Sequence, residues 1–168
     1  MTTSAANPQV EAIRTRVRED YAELNQFIDG PLAGLDPNKL YQSPDGTEWT
    51  IMQNLAHIVE FMPYWSDEAA KLVATPGQSF GRTMEHEGRV SAIREHGTDN
   101  LEQLRAQLPT SYAHLQRVLG GLTDHDLTLT GRHSRFGERD LAWFIDEFIT
   151  QHLANHVAQL KACLTTIE

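Results

Sequence analysis

The sequence predicts an all-α helical bundle, and three observations carry that prediction. Apolar residues recur at spacings of three, four and seven over several long segments, the period of a helix with one buried face. Between those segments the chain is punctuated by Gly, Pro, Asp and Asn, which end helices and make turns. No run of strand length alternates apolar and polar residues, so sheet architectures have no support.

Residues 1–7 are small and polar and are expected to be a flexible N-terminus, followed by a single domain over 8–168. A first helix is predicted from Pro8, a residue suited to a first turn. Its stripe is Val10, Ile13, Val17, Leu24, Phe27 and Ile28, and Gly30-Pro31 ends it. Pro31 to Glu48 reads as a loop, broken by Gly34, Asp36-Pro37 and Pro44-Asp45-Gly46. A second helix begins near Trp49-Thr50 and runs through Leu55, Ile58, Val59 and Met62. Pro63 lacks the N–H its turn needs, but the spacing resumes at Trp65, Ala69 and Leu72, which predicts a kink rather than a stop. Thr75-Pro76-Gly77 closes that segment, and residues 79–96 are expected to be partly helical. Thr98-Asp99-Asn100 offers caps for a third long helix. Its stripe is Leu101, Leu104, Leu108, Tyr112, Leu115 and Leu119, with a bend at Pro109 and a stop at Gly120-Gly121. Residues 122–139 read as a loop, and a last helix is predicted from about Asp140 to Thr165.

Composition narrows the function classes. The chain has 168 residues, and 14 Lys+Arg against 23 Asp+Glu give a net charge of −9. That balance argues against a nucleic-acid partner held through phosphates. One cysteine, Cys163, excludes an internal disulfide framework and a cysteine-based zinc site. The longest stretch without formal charge, Phe148 to Leu160, is about 13 residues and holds two histidines, too short and polar to span a membrane. The first residues lack the basic and apolar regions of a signal peptide, so a cytoplasmic protein is expected.

Eight histidines are the unusual feature. At about 100° per residue, Leu141, Ile145, Phe148, Ile149, Leu160 and Cys163 define one face of the last helix. His152 and His156 fall on that face one turn apart, with Gln159 beside them. Their Cβ atoms would lie about 5–6 Å apart, close enough to grip one ion from one side. With this many histidines, such a pair also arises by chance, and two hydrogen-bonded core histidines fit the pattern equally. A third ligand would have to come from another helix. His57 is the best placed, with Gln53, Asn54, Glu60 and Phe61 one turn away. The stripe of that helix (Ile51, Leu55, Ile58, Met62) points roughly the other way, so periodicity does not bring His57 to the last helix. Glu60 is the nearest carboxylate for acid–base work, with Glu85, Glu87 and Glu147 as competitors.

The remaining residues read as structural. His86, His96, His125 and His133 lie in polar surroundings and are expected to be solvated, and His114 to be structural. Asp124, Asp126, Arg132, Arg135 and Arg139 look like surface charge, and Trp49 and Trp143 like core anchors. Cys163 lies about 10 Å along the helix from His156, too far for the same ion. There is no H-E-x-x-H helix, G-x-S-x-G elbow, phosphate loop or dinucleotide fingerprint.

Two runs carry a family resemblance. Trp49-Thr50-Ile51-Met52-Gln53-Asn54-Leu55-Ala56-His57-Ile58 resembles the W-[ST]-x-x-x-x-L-x-H-[IL] signature of the DinB/YfiT-like superfamily. Gln151-His152-Leu153-Ala154-Asn155-His156-Val157-Ala158-Gln159-Leu160 resembles that family's closing helix, where H-x-x-x-H is followed by Gln. The resemblance covers roughly residues 8–166. It implies a four-helix bundle in up-down-down-up order, with short helical segments in the connections. It also implies that His57, His152 and His156 converge on one divalent metal, zinc or nickel, with positions left open to water. Gln53, Asn54 and Gln159 then belong to the surrounding pocket, and Glu60 is the candidate catalytic acid–base.

The activities implied are transfer or isomerisation with low-molecular-weight thiols such as bacillithiol and mycothiol, and hydrolysis. The chain shows no second domain of the kind carried by maleylpyruvate isomerases, which argues against that reaction. Thiol S-transfer to a small-molecule substrate is the leading expectation, with homodimer assembly. Metal-dependent hydrolysis and a non-catalytic metal-binding or stress-response role are its rivals.

Overall fold

Each long helix starts where a neighbouring side chain accepts the N–H groups that a first turn leaves free. In this computed structural model, which describes residues 7–168, α1 (Pro8–Asp29) takes its cap from a distance. Asp124 accepts from Gln9 N at 3.2 Å and from Val10 N at 3.1 Å. Residues 1–6, most of the expected flexible terminus, lie outside the described residues. α2 (Ile51–Ala74) and α4 (Leu101–Gly120) open with reciprocal capping boxes, Thr50 with Gln53 and Asn100 with Gln103. α3 (Glu87–His96) lies between them, and a 3-10 turn (Pro37–Tyr41) interrupts the first long loop. The chain closes with α5 (Leu141–Ile145), a π-helical turn (Asp146–Thr150) and α6 (Gln151–Ile167), joined without a break.

α2 continues through Pro63 because another helix serves the group that proline strands. Val59 O has no helical donor, and Ser111 Oγ of α4 donates to it at 2.9 Å. Such contacts also fix the helix directions. Arg14 meets Gln116, Tyr21 stacks on Tyr112 at 3.8 Å, and Asp29 pairs with Arg105, so α1 and α4 are antiparallel. Val59 with Ser111 and Asp67 with His114 make α2 and α4 parallel. Asn54 with His156 and His57 with His152 make α2 and α6 antiparallel. Arg16 with Asp146 and Glu23 with Lys161 run α1 alongside the closing helix in the same direction. The result is a four-helix, up-down-down-up bundle of α1, α2, α4 and α6. The helices α1 and α2, consecutive in the bundle, face each other across a diagonal. None of the helices is long and apolar enough to cross a membrane, among the described residues.

The π turn corrects the uniform helix expected near the C-terminus. Leu141, Ile145, Ile149, Leu153 and Val157 are all buried, at intervals of four. In an unbroken α-helix that series drifts by about 40° per step. The π turn holds one extra residue and takes back about 100° of the drift. Phe148, expected in the apolar face, is half-buried and turns toward a cavity instead.

Residues 122–139 also differ from the expected loop. They contain a 3-10 turn (Asp126–Thr128) and an antiparallel hairpin of β1 (Thr130–His133) and β2 (Gly137–Asp140). Thr-Gly-Arg-His and Gly-Glu-Arg-Asp carry no apolar alternation, so no pattern marks them; backbone pairing holds them. Residues 77–80 lie along β1, with Gly77 N donating to Thr130 O at 2.7 Å and Phe80 N to Arg132 O at 3.0 Å. Gly131 permits the approach to α2, since a Cβ there would stand 2.3 Å from Leu72 Cδ1.

Candidate metal centre

α2 is buried on two sides, against α4 and against α6, and this decides where His57 points. Ile51, Leu55, Ile58 and Met62 are buried, yet so are Asn54, His57 and Phe61. His57, only 2% exposed, faces α6, with its Nε2 2.9 Å from His152 Nε2. One ring nitrogen from each of His57, His152 and His156 lies within 4.8 Å of the others. Among the described residues this is the one cluster of His, Cys, Asp or Glu placed to hold an ion.

The neighbouring groups orient these rings. Asn54 Nδ2 donates to Thr50 O at 3.0 Å, which leaves its Oδ1 to face His156 Nδ1 at 3.0 Å. His156 therefore carries its proton on Nδ1 and keeps a lone pair on Nε2. His57 Nδ1 lies 3.5 Å from Glu60 Oε2. Glu60 is itself clamped by Arg82, with Nη1 2.5 Å from Oε1 and Nη2 2.7 Å from Oε2. The Arg82 side chain is 4% exposed and lies over the Tyr64 ring at 3.7 Å. Burial would raise the Glu60 pKa, but the neighbouring His57 and the hydrogen bonds and charge of Arg82 bring it below the ordinary value.

Burial is the main force on the three imidazoles. It lowers His57, against the opposing pull of Glu60. Burial and then the neighbouring His57 push His152 down to about 3, and burial and then His152 push His156 down to about 2. All three are neutral at pH 7, the form that binds metal.

The centre lies at one end of a cavity of about 390 Å³ lined by His57, Trp65, Arg82, Arg89, Phe136 and Phe148, with His152 and His133 also on its wall. Trp49 packs its edge on His57 and stacks on His156, so it anchors this centre rather than the core. Gln159 donates to Glu48 at 3.3 Å, and together with Trp49 and His156 they line a second, shallower hollow. Gln53 is engaged in the α2 capping box and lines neither space. Glu85 and Glu147 line the cavity, while Glu87 lies in the first turn of α3. Cys163 is buried with a free thiol, and His114 pairs with Asp67.

His133 corrects the expectation of a solvated side chain. It is 4% exposed, packed among Phe136, Phe144 and Phe148, and its Nδ1 accepts from Arg135 N at 3.0 Å. Arg82, Arg89 and His133 come from loops, the hairpin and the short α3, none with a periodic signal. Gly81 seats the next residue, Arg82. Its φ is +81°, and a Cβ would lie 2.8 Å from Trp65 Cζ3 and 3.0 Å from His133 Cδ2. Gly81→Ala is expected to destabilise the fold by about 1–3 kcal/mol, read by urea unfolding. An unchanged midpoint would show that the loop relaxes freely.

A family model described as the DinB superfamily matches residues 16–160. The chain belongs to the DinB superfamily. Among solved structures, this DinB chain is similar to YfiT from Bacillus subtilis, described as a probable metal-dependent hydrolase with an unusual four-helix bundle topology. The TM-score is 0.75 at 15% identity, over 97% of this chain and 90% of that one. The four-helix bundle protein TT2238 aligns with a TM-score of 0.63 at 18% identity, over 91% and 98% of the two chains. A Streptococcus pneumoniae protein aligns at 0.69 and 11% identity, over 100% and 96%. These likenesses establish the shared fold. No curated protein matches the sequence.

Proposed function

We propose that this DinB-superfamily chain is a divalent-metal-dependent enzyme that transfers a low-molecular-weight thiol to a small-molecule electrophile. The observation that carries this reading is the convergence of three neutral imidazoles at the end of an open cavity. The donor set suits zinc or nickel, and three nitrogens leave coordination open, as catalytic sites require. His57, His152 and His156 would hold the ion; its contribution, when bound, is to favour the ionised form of a nucleophile at neutral pH.

The chain's own residues do the rest. Asn54 fixes the His156 tautomer, and Glu60, locked by Arg82, steadies His57 as a carboxylate behind a ligand does. Glu60 is thus a positioning residue, because both of its oxygens are already held. Glu60 is held by Arg82, and Glu85 and Glu147 line the cavity outside the three-histidine cluster, which favours a thiol that the ion itself would ionise over a water that needs a general base. Trp65, Phe136 and Phe148 shield the cavity wall from water.

Metal-dependent hydrolysis is the second reading, favoured by the likeness to YfiT. Metal-free protein titrated with zinc and with nickel is expected to take up about one ion per chain. The loaded protein should then conjugate N-acetylcysteine to monochlorobimane faster than the metal-free protein. Thiol-independent cleavage of p-nitrophenyl acetate without conjugation would favour hydrolysis. Failure to take up either ion would sink both readings.

A further inference from the structure

The cavity beside the three histidines gathers cations in an acidic chain. Arg82, Arg89 and Arg135 line it, although the net charge of the protein is −9. The three are not equivalent. Arg82 is neutralised by its two-pronged pair with Glu60. Arg89, on α3, forms no ion pair among the described residues. Its Nη1 donates to Met84 O at 2.9 Å, and its guanidinium carbon lies 5.1 Å from the centre of the Trp49 ring. The Trp49 ring and one backbone carbonyl hold the group in place while most of its N–H donors stay unused among the described residues. Burial and the nearby Arg82 charge hold Arg89 below its ordinary pKa, and the more distant Glu60 and Glu85 offset them only in part.

The rest of the cavity states what else its occupant must be. Its volume, about 390 Å³, is at the small end for ligand pockets. Trp65 stacks on Phe148 at 4.2 Å to form a flat apolar wall, and Phe136 stands 5.9 Å from Phe148. Glu85 and Glu147 also line the cavity. Two acidic side chains disfavour a dianion; Arg135 is exposed to solvent over Phe136, and the half-buried Arg89 is the planar guanidinium fork that matches a single planar carboxylate.

We propose that the cavity binds a small substrate carrying a carboxylate, with Arg89 pairing the carboxylate and the aromatic wall taking an apolar body. The inference rests on the reading of the three-histidine end as the reactive centre, since it assigns the substrate class to that centre. The substrate is thereby fixed at one end, and the bond that reacts lies between Arg89 and the imidazoles. Arg89 acts as a binding residue, and specificity comes from the loss its unpaired cation would suffer with an uncharged analogue.

The test uses metal-free protein, so that no ion competes for the carboxylate. Tryptophan fluorescence, with Trp49 under Arg89 and Trp65 on the wall, reports binding of hydrocinnamate and of its uncharged amide. Wild type is expected to prefer the acid by at least about tenfold, and Arg89→Gln to lower that preference below about twofold. Arg94→Gln, the same charge change on the exposed side of α3, should keep the preference. Equal binding of acid and amide by wild type, or a preference that survives Arg89→Gln, overturns the proposal. An equal loss in Arg94→Gln overturns it too, as long-range charge. Tighter binding of phenethyl phosphate than of hydrocinnamate would reassign the site to phosphate. A protein that takes up no metal yet shows the Arg89-dependent preference would refute the enzyme reading and leave the carboxylate site standing.

Discussion

In His152→Ala, affinity for zinc or nickel is expected to fall by at least about 100-fold, with little change in the metal-free fold. The two halves of this result have separate causes. In the proposed centre His152 would supply one of three nitrogens, and its Nε2 lies 2.9 Å from that of His57. Groups that merely orient a ligand are worth about 10- to 100-fold in affinity, so the ligand itself should exceed that range. Stability responds differently because the imidazole is held neutral against its tendency to hydrate. Removing it should shift the metal-free melting temperature by no more than a few degrees, about 1 kcal/mol for a chain of this size. Competition with a chromophoric chelator measures the first quantity, and calorimetry of metal-free protein the second. Wild-type affinity in the variant would remove His152 from the ligand set.

Arg82→Met should be the most destabilising single change near the site, at about 3 kcal/mol or more. Arg82 is 4% exposed and Glu60 18% exposed, so the substitution leaves a carboxylate in a largely dry setting with only His57 beside it. The guanidinium also leaves the Tyr64 ring. The double variant Arg82→Met with Glu60→Gln should recover much of the loss, because the stranded charge is gone. The pH dependence should invert. In wild type the Glu60 pKa is lowered in the fold, so its stabilising effect is present above about 4.5 and lost as pH falls through the lower folded value. Without Arg82, burial raises it, and protonation relieves the fold as pH falls toward 4.5. Urea unfolding of wild type and of the single and double variants between about pH 7 and 3 reads both effects. Additive single effects would show that the pair is not coupled.

Helices with one buried face were legible in the sequence, and so was the Asn100 cap of α4, whereas the α1 cap comes from Asp124, which reads as surface charge. Val10, Val17 and Leu24 on α1, and Leu104, Leu108 and Leu115 on α4, fall where a 3.6-residue period places them. α2 shows where that reasoning stops. A helix buried on two sides has no single stripe, so the row through Ile51 and Ile58 hides the second face that carries Asn54 and His57. Only the family motif joined His57 to His152 and His156. The π turn leaves no compositional mark, and the hairpin is held by backbone pairing that side chains do not encode. Arg82, Arg89 and His133 reach the cavity from such irregular segments, so tertiary packing alone brings them together.

The helix order has a consequence for the chain as a polymer. His57 and His152 are 95 positions apart and meet only after α2 and α6 have docked. An ion held between them would tie a loop of more than half the chain, as a disulfide of that span does, but removably. No local fragment offers all three nitrogens, so an ion would select the folded chain and add about 2.7 kcal/mol at a hundredfold excess over its dissociation constant. Depleting the ion would then loosen the whole molecule at once, making its lifetime a gauge of the metal around it.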